Sequence, residues 1–293
     1  MRNAPGLSAS RIGSITTLMA IAMLAATAAP AQNLFSRGGN QPVTIRADNG
    51  IEWIRDERKY VARGNATASR DNATIKADLL TAYYREKPTG KGQEIFRVDA
   101  TGNVRITANE QEAVGDNAVY DIDQAVFVLK GKKLRFRSKQ GVLTARDSLE
   151  YWEAKRLAVA RGNAVVVRDA QRIRADVMTA HIEDPATSKS AKPAKPKTVT
   201  KKGKDKDPFG GSRIRQIDAF GNVHVSLRKG IVRGDTAVYE PAKGIATICG
   251  SVSITSGKNQ LKGKCADVNL KTGIYRLKGR ATGLVMPTRK KKP

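Results

Sequence analysis

Apolar and small side chains recur at every second position through most of this chain. Val98, Ala100, Val104 and Ile106 flank Gly102; Ile217, Ala219, Val223 and Val225 flank Gly221; Ala246, Ile248, Val252 and Ile254 flank Gly250. Around Gly162 the same slots hold Ala158, Ala160, Ala164 and Val166. The residues between are mostly Arg, Lys, Asp, Asn, Ser and Thr. A period of two belongs to strands with one dry face and one wet face, and the three-and-four spacing of a helix is missing. Near Gly131 one extra residue shifts Leu134 and Phe136 by one and restores the phase. The pattern predicts a succession of short strands and no helix of any length beyond the N-terminal segment.

The strands come in repeated units. RGNATASRDNATIKADLLTAYY at residues 63–84 aligns without a gap to RGNAVVVRDAQRIRADVMTAHI at residues 161–182, 98 positions on. A shorter unit underlies both. Gly64, Gly102, Gly131, Gly162, Gly221 and Gly250 each open one, and a small residue usually follows 13 positions later, as in Ala77-Asp78, Gly115-Asp116, Ala175-Asp176 and Gly234-Asp235. Each Gly falls on the apolar face, where a strand glycine marks a bulge, bend or close approach. One such unit cannot bury its own apolar face, and stacked neighbours can. About seven rungs of roughly 30 residues therefore build a continuous dry interior. That interior is either a packed core or a partly open trough; the small slots at Ala62, Ala66, Ala68, Ala158, Ala160 and Ala164 fit both.

The ends refine this. Arg2 and Arg11 precede an apolar or small run and the Ala29-Pro30-Ala31 stretch, which reads as a secretory signal peptide, residues 1–31, cut before Gln32. Residues 32–288 then form a single domain. It is interrupted by a Lys/Pro-rich insertion at 185–212, with eight Lys and two Asp, that reads as disordered. Residues 289–293 are a basic tail. The formal net charge is +26. Nucleic acid is set aside as a partner, because aromatic residues are few, no binding motif is present and the signal directs export. Anionic lipid head groups or an acidic cell surface suit the charge better.

Catalytic signatures are lacking: no phosphate-binding loop, no nucleophile elbow, no zinc-protease motif. Two Cys and two His on separate rungs make no metal site, and no cofactor is expected. The recurring Asp48, Asp78, Asp116, Asp176 and Asp235 would form a column in a stack. Asp capping backbone at turns is the ordinary reading, and Arg146 and Lys264 are expected to interrupt the column. Cys249 and Cys265 fall nearly opposite each other if residues 256–259 are a hairpin turn. They are free thiols or, favoured in an oxidising compartment, a disulfide.

QPVTIRADNGIEW, the 63–84 stretch and TGNVRITANEQEAVGDNAVYD resemble the LptA/OstA family of lipopolysaccharide-transport proteins. The matching part is the G-N-V-x-(I/V) strand with (A/G)-D thirteen residues on, and the resemblance covers most of Gln41 to Leu284, excepting the Lys-rich insertion. The resemblance implies an all-β, antiparallel β-jellyroll, open at both ends, in the periplasm. It implies a non-enzymatic bridge that shelters lipopolysaccharide acyl chains between the two membranes. It also implies head-to-tail self-association and LptC-like and LptD-like partners at the terminal edge strands. The dry-face positions expected to line the trough are Val98, Val104, Ile106, Leu134, Phe136, Val166, Ile217, Val223, Val225, Ile248, Val252 and Ile254. A membrane-anchored LptC-like component and an exported repeat protein or enzyme acting on acidic polysaccharide are the alternative readings.

Overall fold

The computed structural model describes residues 43–286 except 71, 89, 91, 109, 140, 169–170, 184–213, 229 and 270–271. The segments read as signal peptide (1–31), insertion (185–212) and basic tail (289–293) lie outside the described residues. Among those described, the chain is all strand and turn, with no helix. The strands are β1 (Thr44–Arg46), β2 (Ile51–Ile54), β3 (Lys59–Arg70), β4 (Ala73–Glu86), β5 (Gln93–Ala108), β6 (Gln111–Asp121), β7 (Val126–Lys130), β8 (Leu134–Ser138) and β9 (Gly141–Ala145). They continue with β10 (Ser148–Trp152), β11 (Leu157–Arg168), β12 (Gln171–Ile182), β13 (Ile214–Leu227), β14 (Gly230–Glu240), β15 (Ile245–Ser256), β16 (Asn259–Asn269), β17 (Ile274–Lys278) and β18 (Thr282–Leu284).

All belong to one antiparallel sheet, an all-β jellyroll built from sequence neighbours. From β3 to β6 and from β11 to β16 each strand pairs with the next. Elsewhere one bent strand is split in two. β7 and β8 both pair with β6; β9 and β10 both pair with β11; β1 and β2 share β3; β17 and β18 share β16.

The bend sits at the repeated glycine. In β5, Gly102 and Asn103 have φ of 79° and 47°, and together they oppose the single residue Asp116 of β6. Two residues against one is a β-bulge, which turns the strand and increases its twist. A Cβ on Gly102 would stand 2.2 Å from Asp78 Oδ2, so the position lacks room for a side chain as well as a favourable φ. Asn103 Nδ2 donates to the same carboxylate at 2.8 Å. Asn65 to Asp48 (2.8 Å) and Asn222 to Asp176 (2.7 Å) repeat the contact. The aspartate column thus pins each bulge to the rung before it. One expectation is corrected: Arg146 does not interrupt the column. The irregular unit carries one extra residue, so Asp147 takes the place beside Gly162, 2.3 Å from where its Cβ would be. Arg146 instead donates to Asp147 (2.7 Å). Lys264 does replace the acid, beside Gly279.

Folding at the bulge leaves two arms facing each other, and the seam between them must be narrow. Gly115, Gly234 and Gly263 stand on it. An added Cβ there would meet Leu129, Ile248 and Leu277 at 2.5–2.9 Å. Ala66, Ala77, Ala164 and Ala175 occupy the same seam, all at most 2% exposed. The core runs without a break from Ala62 of β3 to Val268 of β16.

Candidate functional site: the apolar interior

Two cavities of about 40 Å3 each lie within the jellyroll. The first has Ile106, Ala113, Phe136 and Leu143 from one arm, facing Phe127, Leu129, Leu149 and Met178 from the other. The second lies toward the C-terminal end and is lined by Ile173, Val225, Tyr239, Ile248 and Val268, among others. Met178 and Ile217 border both. Strand alternation alone makes the lining apolar, because every second side chain of all these strands points to the same face.

Of the twelve sequence-predicted positions, Val104, Ile106, Leu134, Phe136, Val166, Ile217, Val223, Val225, Ile248, Val252 and Ile254 lie in the continuous core. Val98 is buried but outside that cluster, across β4 from Tyr60. Ile106, Phe136, Ile217, Val225 and Ile248 border a cavity; Val104, Val223, Val252 and Ile254 fill the space at and beyond the seam. The alanines divide likewise. Ala62, Ala66 and Ala68 pack the first rungs, whereas Ala158 and Ala160 line the first cavity. Cys249 and Cys265 are directly paired across β15 and β16 and joined as a disulfide on the outer face, with Cα atoms 4.1 Å apart.

The residues missed by sequence reasoning come mostly from the second strand of each unit: Leu149, Met178, Tyr239 and Val268. The glycine motif drew attention to the first strand. Counting the period of two through the second strand as well would have found them.

One lip of the interior is polar. Arg70 and Gln171 are each 6% exposed and continue the dry face beyond Ala68 and Ile173; Gln111 and Arg168 hold matching places on β6 and β11. Gln111 Oε1 is buried without a hydrogen-bond partner among the described residues. Tyr239, on the opposite arm, has its phenol pushed up by burial and opposed by the nearby Arg168 charge. Burial, together with the Glu153 carboxylate, raises Tyr120 and keeps it a neutral donor, with its Oη 3.4 Å from Glu153 Oε2. At the two ends of the sheet, Ile51 and Trp53 of β2 and Ile274 and Leu284 of β17 and β18 are about half exposed. Trp53 stacks on Tyr60 (5.6 Å) and donates from Nε1 to Tyr84 Oη (2.8 Å).

The fold and its dry interior define a β-jellyroll stacked from bulged rungs. The chain belongs to the family described as LptA/(LptD N-terminal domain) LPS transport protein, whose model matches residues 44–147 and again 144–274. The two matches meet at the irregular unit around Asp147. A curated relative from Rhizobium meliloti (strain 1021), described as an uncharacterized protein, is 29% identical over 122 residues, which is 39% of this chain. The match spans 65% of that relative's length. Among solved structures, LptH, the LptA homologous periplasmic component of the lipopolysaccharide transport device from Pseudomonas aeruginosa, is similar at 10% identity. That alignment covers 84% of this chain and 96% of LptH, with a TM-score of 0.19.

Proposed function

We propose that this chain is a non-catalytic periplasmic carrier that shelters the acyl chains of lipopolysaccharide between its two arms and bridges the inner and outer membranes. The observation that supports this most is the first cavity, an apolar space between the arms bordered by both matched halves. As packed, a space of about 40 Å3 would take a few waters at most. An acyl chain therefore enters by parting the arms, and each methylene it buries contributes about 0.8 kcal/mol toward that opening. The polar lip of Arg70, Gln111, Arg168 and Gln171 is where a sugar-phosphate head group would leave the dry space. Among the described residues, no strand pairs with the outer edges of β1 and β2 or of β17 and β18. LptC-like and LptD-like partners, or further copies, would join there by strand addition.

Photo-crosslinkers in cells test this reading. Probes at Ile106 and Val225 are expected to capture lipopolysaccharide, and probes at the outward-facing Arg105 and Lys76 are not. Equal labelling of both sets would overturn it.

A further inference from the structure

On the outer face of the second arm, Arg174 of β12, His224 of β13 and Arg233 of β14 are direct cross-strand partners in one row. Neighbours in such a row have Cβ atoms about 5 Å apart. Arg172, paired with Ser226, stands diagonal to His224. The row continues through Ser253 to Lys262. These residues face outward because the residues alternating with them, Val223, Val225 and Val232, are buried in the core.

Among the described residues, no carboxylate pairs with Arg172, Arg174, Arg233 or Lys262. On the outer face of the first matched half, by contrast, Arg105, Arg135 and Arg137 all converge on Glu112. The nearest acid of the bend, Asp176, is occupied by Asn222. At the centre of the open row, His224 Nε2 is buried and has no hydrogen-bond partner among the described residues. Three guanidinium groups around one imidazole, with the hydroxyls of Ser226 and Ser253 beside them, supply donors and positive charge and no acceptor-only group. Arginine forks match the oxygens of phosphate in a bidentate manner.

We infer that Arg172, Arg174, His224 and Arg233 form an anion site for a phosphate monoester group, on the outside of the jellyroll and separate from its apolar interior. The inference does not rest on acyl-chain binding. Burial, then Arg233, Arg174 and Arg172, hold the His224 imidazole below its ordinary pKa, so it is neutral when the site is empty at neutral pH. A bound dianion offsets most of that positive field. By linkage it raises the pKa of His224, and at a given concentration of dianion binding strengthens as the ring gains its proton, until the phosphate itself takes up a proton near its second pKa of about 6.

The chain has two histidines, and His181 Nε2 donates to Asp218 Oδ2 at 2.9 Å, outside this row. It serves as an internal reference. In a ring-nitrogen NMR titration of the full chain with inorganic phosphate, His224 is expected to shift saturably and to titrate at higher pH, while His181 stays put. Arg174→Gln with Arg233→Gln is expected to weaken the response about tenfold or more; Arg105→Gln leaves it unchanged. A second arm adds phosphatidylcholine vesicles with or without phosphatidic acid. A His224 shift that needs phosphatidic acid and is competed by inorganic phosphate assigns the site to lipid-borne phosphate; a response to inorganic phosphate alone assigns it to soluble phosphate. No saturable His224 shift, equal shifts of both histidines, or an undiminished response in the double variant overturns the inference.

Discussion

The two matched halves of this chain share an interior and differ outside. In the first, three arginines close around Glu112, whose side chain is only 14% exposed. In the second, counting from Gly102 and Gly221, Arg105 becomes His224 and Glu112 becomes Ile231. The carboxylate is gone, and among the described residues the basic groups have no acidic partner. Both outer faces are compatible with the same fold, because strand alternation commits only every second residue to the core. The other half of the positions is free to become a closed ion-pair cluster or an open cationic one. The halves also differ in a staple. Thr101 and Asn117 are paired beside Gly102 where Cys249 and Cys265 are paired beside Gly250.

The comparison can be broken most directly at the shared interior. Leu129→Ala and Ile248→Ala each remove a side chain at most 1% exposed, and each is expected to lower stability by about 2–5 kcal/mol in denaturant unfolding. A neutral result in one half would mean that the halves do not share one core. The staple comes next. Replacing Cys249 and Cys265 together by Ala should destabilise the chain by about 3 kcal/mol, given a sequence separation of 16; the same measurement on Thr101→Ala with Asn117→Ala should show far less.

The seam separates the halves more finely. At Gly234 an added methyl meets Ile248 Cγ2 at 2.5 Å and the Cys249 carbonyl oxygen at 3.1 Å; at Gly115 the nearest atoms are Cδ1 and Cγ of Leu129 and Cδ2 of Leu134, at 2.8–3.0 Å, all in leucine side chains. A β-branched side chain and a backbone oxygen yield less than a leucine tip. Gly234→Ala is therefore expected to cost about 1–3 kcal/mol, and Gly115→Ala less. The outer faces can be exchanged by single changes. Ile231→Glu should weaken phosphate binding at the His224 row about tenfold, and Glu112→Gln should create phosphate binding in the first half, both read by titration. Thermal melts of each variant report folding alongside.

The smallest effect lies at the junction of the halves. Glu150 is 9% exposed; burial alone would raise its pKa, but donors from Ser148, Arg161 and Trp152 outweigh that and hold it below the ordinary value. A carboxyl depressed in the folded state stabilises the fold above the unfolded pKa, and that contribution disappears as pH falls through the folded one. Glu150→Gln should thus lower the melting temperature slightly at pH 7 and leave it unchanged once Glu150 is protonated in the wild type.

Much of this molecule was legible from its residues. The period of two marked strands such as β5 and β15, the recurring Gly-Asn marked the bends, and stacking implied one long interior. The function of Asp147 was not legible, since an inserted residue hid it one place past Arg146. The second-strand lining residues Leu149 and Met178 escaped because no motif marked them. The anion row escaped for a different reason: Arg174, His224 and Arg233 are far apart along the chain, and only strand register brings them side by side.

By itself the sequence determined which side chains are dry, because alternation is a local property that each strand carries alone. The tertiary structure decided how closely the two arms approach, where space is left between them, and which outward charges find partners. Those depend on contacts across strands and arms, whose register is set by bulges and pairing rather than by any one segment.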